Sequence, residues 1–217
     1  FTFTKTGGEV LLKGISPDIA TGGRFAKPGT DAATIARLEK ASREWANKLS
    51  ATDNKAVEDY TGPRGGFEKV AASYKAGRPT ANALRFVKAI DSAPHVVGTV
   101  WRGVDMTHKN EADYISSMRK SVGTVISFNH PTSATLSQRT ALRFGHVTLQ
   151  IKSKTARYIN AKNQTNNKLL DMFAPEKNER ESVFMPGTNL RVMSVKKMRP
   201  SPGHYTPHDW RIYLEEV

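Results

Sequence analysis

Glu179-Arg180-Glu181-Ser182-Val183-Phe184-Met185-Pro186-Gly187-Thr188 enters polar, turns apolar and stops at a Pro-Gly turn. That pattern predicts a strand. On an extended chain successive side chains alternate faces, so Glu179 and Glu181 would point the same way, roughly 7 Å apart, with Arg180 opposite. Two carboxylates brought together raise each other's proton affinity, and the pair can divide the work between stabilising a cation and accepting a proton. The same Glu-x-Glu also fits the solvated face of an ordinary strand, so its meaning depends on the rest of the chain.

Most segments after Pro94 read as short strands. Val96-Val97-Gly98-Thr99-Val100-Trp101 is a β-branched run, and further strands are expected at about 124–128, 146–152, 156–159, 182–185, 190–198 and 210–216. A short helix is expected at about 137–144, and 160–172 reads as polar loop or helix. The chain before Pro94 has a different texture. Residues 1–30 form an irregular arm broken by Gly7-Gly8, Gly22-Gly23 and Pro28-Gly29. Asp31 caps a helix with Ile35, Leu38, Ala41, Trp45 and Leu49 on one stripe. Ser50 or Asp53 opens a second helix that runs through Tyr60 to Thr61-Gly62-Pro63. A third spans about 67–75, and a fourth starts at Thr80 with Ala83, Leu84, Phe86, Val87 and Ile90 inward. Helices first and strands after imply an α+β fold in which antiparallel sheets carry a helical cap. The expected organisation is an arm (1–30) and a single domain (31–217), with a helical part (31–95) and a β part (96–217).

Bulk composition narrows the classes. With 38% hydrophobic and 24% charged residues among 217, the chain can bury a proper core. No apolar run reaches the roughly 20 residues of a membrane-spanning helix. There is no cysteine, so disulfides, thiolate chemistry and cysteine-based zinc sites are excluded. The chain begins at Phe1 with no visible leader, and the expectation is a processed chain or a fragment of a longer one. Net charge is +13. From Tyr114 to Leu170 there is no Asp or Glu, while Arg119, Lys120, Arg139, Arg143, Lys152, Lys154, Arg157, Lys162 and Lys168 fall inside. Such a block attracts polyanions or phosphate-bearing ligands, or serves only as a solubilising surface. His204 and His208 are four apart in a Pro/Gly-rich segment where no helix would bring them together, so no metal is expected.

Three features now stand in order: Val100-Trp101-Arg102-Gly103, an Arg at a strand end followed by a Gly that allows backbone approach to a ligand; Ser133-Ala134-Thr135, followed by a helix with Ala141 and Phe144 inward; and Glu179-Arg180-Glu181 with its apolar tail. This order resembles the Arg–Ser–Glu class of mono-ADP-ribosyltransferases, which includes bacterial actin-modifying toxins and phage enzymes. The segment ending Asp59-Tyr60-Thr61-Gly62 is similar to a helix of that class that ends in Tyr-Thr-Gly. The second motif departs from the usual Ser-Thr-Ser.

The resemblance implies a mixed, mainly antiparallel two-sheet β core and an enzyme that uses NAD as co-substrate. It cleaves the nicotinamide–ribose bond and passes ADP-ribose to a nucleophile. It implies Glu181 as the carboxylate at the ribose, Arg102 at the phosphates, and Ser133 holding Glu181 and the ribose in register. Gly103 and Thr135 complete the NAD-binding set, and Glu179 orients or deprotonates the acceptor. Glu at that first position goes with arginine as acceptor. Phe173 and Asn178, in the loop before the pair, would contact the target, although Phe173 serves equally as an anchor for that loop. Trp101 and Phe144 read as core. The protein is then expected to be a secreted or delivered toxin or effector acting in a target cell's cytoplasm, or a phage enzyme. A cognate immunity protein is left open as a partner, and no membrane partner is expected. Two other readings stay open: transfer to RNA docked on the basic block, and a nucleic-acid-binding module without catalysis.

Overall fold

The computed structural model describes residues 31–62, 65–106, 108–160, 180–198 and 210–217. Four helices come first: α1 (Ala32–Ala46), α2 (Ala51–Thr61), α3 (Gly66–Lys75) and α4 (Ala81–Asp91). Three of them start where a short polar side chain can take an orphan amide. Asp31 accepts from the Thr34 N–H, Ser50 from Asp53 and Thr80 from Ala83. Trp45, Ala56, Val57, Tyr60, Val70, Phe86 and Ile90 form the core of this part, and Ile159 and Val183 reach it from the strands. Each such side chain contributes roughly 1.5–3 kcal/mol of burial. Leu84, expected inward, is 52% exposed. The apolar stripe of α4 is met by Ala83, Phe86 and Ile90, which leaves Leu84 on the outer side.

The strands are β1 (His95–Val104), β2 (Val125–Phe128), β3 (Thr132–Thr135), β4 (Val147–Tyr158), β5 (Glu181–Phe184), β6 (Thr188–Lys197) and β7 (Trp210–Glu216). Helix α5 (His108–Lys120) lies between β1 and β2, and α6 (Gln138–Arg143) between β3 and β4. The fold is α+β, and the sheet is mixed and mainly antiparallel, with β4–β7 its parallel pair. The two expected sheets are hydrogen-bonded into one seven-stranded sheet, in the order β1-β3-β5-β4-β7-β6-β2 with β1 also paired to β4. They join because the short β3–β5 ladder meets β1 at Trp101–Thr135 and the end of β4 at Arg157–Val183 and Tyr158–Ser182. A ring of four strands results, and the second core fills the space over it. Val100, Val104, Leu149, Ile151, Ile212 and Leu214 of the long strands pack there with Tyr114, Ile115 and Met118 of α5.

Other details differ from expectation. Helix α5 and strand β3 were not foreseen, and β4 is one strand where two were expected. Strand β5 begins only at Glu181, because Arg180 has a φ of 45°, in the left-handed region. The alternation that would place Glu179 beside Glu181 therefore stops at Arg180. Glu179, Phe173 and Asn178, like His204 and His208, lie outside the described residues.

Candidate active site

Register brings three of the expected side chains together. In the β3–β5 ladder Thr135 stands opposite Glu181 and Ser133 opposite Val183. Ser133 is thus the same-face diagonal neighbour of Glu181, a separation that a glutamate can bridge. Its Oγ donates to Glu181 Oε1 at 2.9 Å. Tyr60 of α2 meets the same Oγ at 2.8 Å. A serine hydroxyl has one proton and an ionised carboxylate only accepts, so the direction is fixed: Tyr60 donates to Ser133 and Ser133 to Glu181. The Tyr60 ring is held by stacking on Phe86, with centroids 3.8 Å apart and planes at 11°. Burial, and then the charge of Glu181, push the Tyr60 hydroxyl well above the ordinary tyrosine range, so it stays a donor.

Arg102 comes from the end of β1, one residue beyond the Trp101–Thr135 junction. One of its terminal nitrogens donates to the Ser133 carbonyl at 2.5 Å. Burial lowers its proton affinity, opposed by Tyr60, Tyr114 and Glu181, and a guanidinium in this setting remains a cation. Its Nε is buried without a hydrogen-bond partner among the described residues. Tyr114 of α5 is pushed up to about 12 by burial, with Arg102 acting the other way. The corner therefore holds a half-buried cation, a carboxylate on a residue 9% exposed and a hydroxyl relay between two strands and a helix.

Two expected NAD-site residues have structural duties of their own. A Cβ on Gly103 would lie 1.9 Å from the Ala141 carbonyl oxygen, so the glycine lets α6 seat against β1. The Thr135 hydroxyl accepts from the Ser137 N–H at 3.0 Å and turns the chain into α6. Trp101 is fully buried as expected, whereas Phe144 is 53% exposed: α6 ends at Arg143 and leaves it as the cap residue. Tyr60 entered the sequence reading only through the Tyr-Thr-Gly resemblance. Its i, i+4 spacing from the buried Ala56 marks it as inward-facing, but nothing local announces a partner 73 residues away.

No family model matches the chain, and no curated relative does. Solved structures do. The type III effector XopAI from Xanthomonas axonopodis pv. citri is 21% identical, with 85% of this chain and 72% of that one covered and a TM-score of 0.56. Plx2a, an ADP-ribosyltransferase toxin from Paenibacillus larvae, is 12% identical over 89% of this chain and 100% of its own, at a TM-score of 0.63. C3stau2 from S. aureus, solved with NAD, is 16% identical over 89% and 99%, at 0.62. The chain has an ADP-ribosyltransferase-like fold.

Proposed function

We propose that the protein is an NAD-dependent mono-ADP-ribosyltransferase whose acceptor is arginine on a target protein. The observation that carries this reading is the Tyr60–Ser133–Glu181 relay set beside the half-buried guanidinium of Arg102. The fold shared with an ADP-ribosyltransferase toxin and with a structure solved with NAD supports the use of NAD. The residues present fit a dinucleotide: the Nε of Arg102, unpartnered among the described residues, and its charge suit a bound phosphate or ribose oxygen, and Glu181 suits a ribose hydroxyl.

NAD supplies a glycosidic bond that breaks with the electron pair leaving on nicotinamide, so positive charge develops on the ribose. Glu181 holds a fixed negative charge at that sugar and accepts from its 2′-hydroxyl. Ser133, with its own proton committed to Glu181 and its lone pair to Tyr60, keeps the carboxylate from rotating. Gly103 and Thr135 set the strand ends against which the dinucleotide lies. Glu179 accepts the proton that the attacking guanidinium nitrogen loses on forming its bond to the ribose carbon. The segment carrying Phe173 and Asn178 contacts the target. In this reading residues 31–217 act as one catalytic unit, and the protein is a delivered toxin or effector, or a phage enzyme.

The alternative acceptor, RNA on the basic stretch, draws less support. Acids from elsewhere answer part of that stretch: Lys152 pairs with Glu215 and Arg157 with Asp91, both at 2.9 Å. Incubation with labelled NAD, offering total protein and RNA in separate reactions, followed by mass spectrometry, tests the proposal. ADP-ribose on arginine is the expected product. Label on RNA alone would replace the arginine reading, and no nicotinamide release in either reaction would end the proposal.

A further inference from the structure

We infer that Glu39, on helix α1, is a positioning residue for Glu181, acting through Asn160. The inference rests on the function proposed above and assigns the reaction a residue from outside the three motifs.

Glu39 Oε1 accepts two hydrogen bonds from side chains far along the chain: the Tyr158 hydroxyl at 2.5 Å and the Asn160 amide Nδ2 at 2.9 Å. Asn160 is 3% exposed, and its other end, Oδ1, accepts from the backbone N–H of Glu181 at 3.4 Å. The amide of Asn160 has two distinct ends, and Glu39 selects which end faces which way. A carboxylate can only accept, so the NH2 must turn to α1 and the carbonyl to Glu181. A flipped amide would present its NH2 to the Glu181 N–H, donor against donor, and Glu39 disfavours that arrangement. Tyr158 adds a second tether, because it stands opposite Ser182, the next residue after Glu181. The Ile159 N–H also donates to the Glu181 carbonyl at 3.1 Å, so the backbone of Glu181 is held at both its polar groups.

Arg180 makes this restraint consequential. Its left-handed φ is strained for a side-chain-bearing residue and persists only where the surroundings impose it. Loss of the hold on the Glu181 amide lets that peptide relax, and the carboxylate moves relative to Ser133 Oγ. Ground-state binding of NAD, shared with Arg102, is affected less than the step in which charge develops.

The test uses the full chain and nicotinamide release. E39A is expected to lower kcat between tenfold and a hundredfold with KM for NAD changed less than twofold. E39Q keeps the shape but offers an NH2 as well as an oxygen, so it no longer dictates which end of Asn160 faces α1 and is expected to recover only part of the rate. In an N160A background E39A should add little, since both act through one amide. Wild-type kcat in E39A, effects that multiply in the double variant, or full wild-type kcat in E39Q would each overturn the inference. If E39A does not fold, Y158F takes its place, with a several-fold fall in kcat expected and an unchanged kcat overturning it. If the wild type releases no nicotinamide, the proposed function fails by itself. Hydrogen exchange at the Glu181 amide then decides the positioning role: faster exchange in E39A or Y158F supports it, and unchanged exchange overturns it.

Discussion

Three glutamates are nearly removed from solvent, Glu111, Glu181 and Glu216, and the last two, on β5 and β7, are held by different sets of donors. Glu216, 5% exposed at the end of β7, accepts from the backbone N–H groups of Lys154 and Thr155 at 2.5 and 2.9 Å, from the Thr155 hydroxyl, and from Ser153 Oγ at 3.4 Å. Glu181, 9% exposed at the start of β5, is held by a serine hydroxyl that itself answers to a tyrosine hydroxyl, with the half-buried Arg102 alongside. Both acids take hydroxyl donors, and Glu216 takes backbone N–H groups on its carboxylate as well, fixed dipoles that suit a carboxylate that must not move or change charge. Burial of an acid therefore does not by itself identify function, and the two acids are told apart by what surrounds them.

The comparison can be broken by exchanging the charge of each acid. E181Q is expected to reduce NAD cleavage on the order of a thousandfold with an unchanged melting temperature. A variant that stays active would remove Glu181 from the chemistry. E216A should do the reverse. Leaving buried amides without an acceptor costs about 3 kcal/mol or more, which lowers the melting temperature by roughly 10 °C in a domain of this size. Its activity per folded molecule at low temperature should match the wild type.

Alkaline titration sharpens the contrast further. Burial raises Tyr60, Tyr114 and Tyr158 above the ordinary value of 10, with Tyr114 at about 12. A raised folded-state value means the stability is fully present below pH 10 and is lost as pH climbs towards 12. For Tyr114 alone this amounts to roughly 2 kcal/mol. Urea midpoints measured at pH 9, 10 and 11 should fall, and less steeply in Y114F. The smallest effect belongs to Y60F. It removes the donor to Ser133 while keeping the ring on Phe86, and should lower kcat about tenfold with KM for NAD little changed.

Much of the frame was legible because it is encoded locally. Asp31, Ser50 and Thr80 announce helix starts by chemistry that operates within three residues. Helix α5 escaped because only Tyr114, Ile115 and Met118 of its segment face the core, too sparse a stripe to stand out among polar residues. Strand β3 escaped because its four residues, Thr-Ser-Ala-Thr, carry no alternation, and the ladder with β5 alone makes them a strand. At the site, the order of Arg102, Ser133 and Glu181 was readable. Tyr60, Asn160 and Glu39 were not, since their partners are set by packing across the fold. The strand pattern also misled: it carried the extended chain through Arg180, where the backbone turns.

Strand β7, nearest the carboxyl end, lies in the middle of the sheet between β4 and β6. Without Trp210–Glu216, β6 and β2 reach the strands that carry Arg102 and Glu181 only through the turns that join β5 to β6 and β2 to β3 and through contacts such as Phe128 on Phe184, and one edge of β4 has no ladder partner over Val147–Lys152. A shortened chain ending before Trp210 cannot be a weaker version of the whole. Any process that leaves Trp210–Glu216 unpaired therefore opens two edges inside the sheet at once, one on β4 and one on β6.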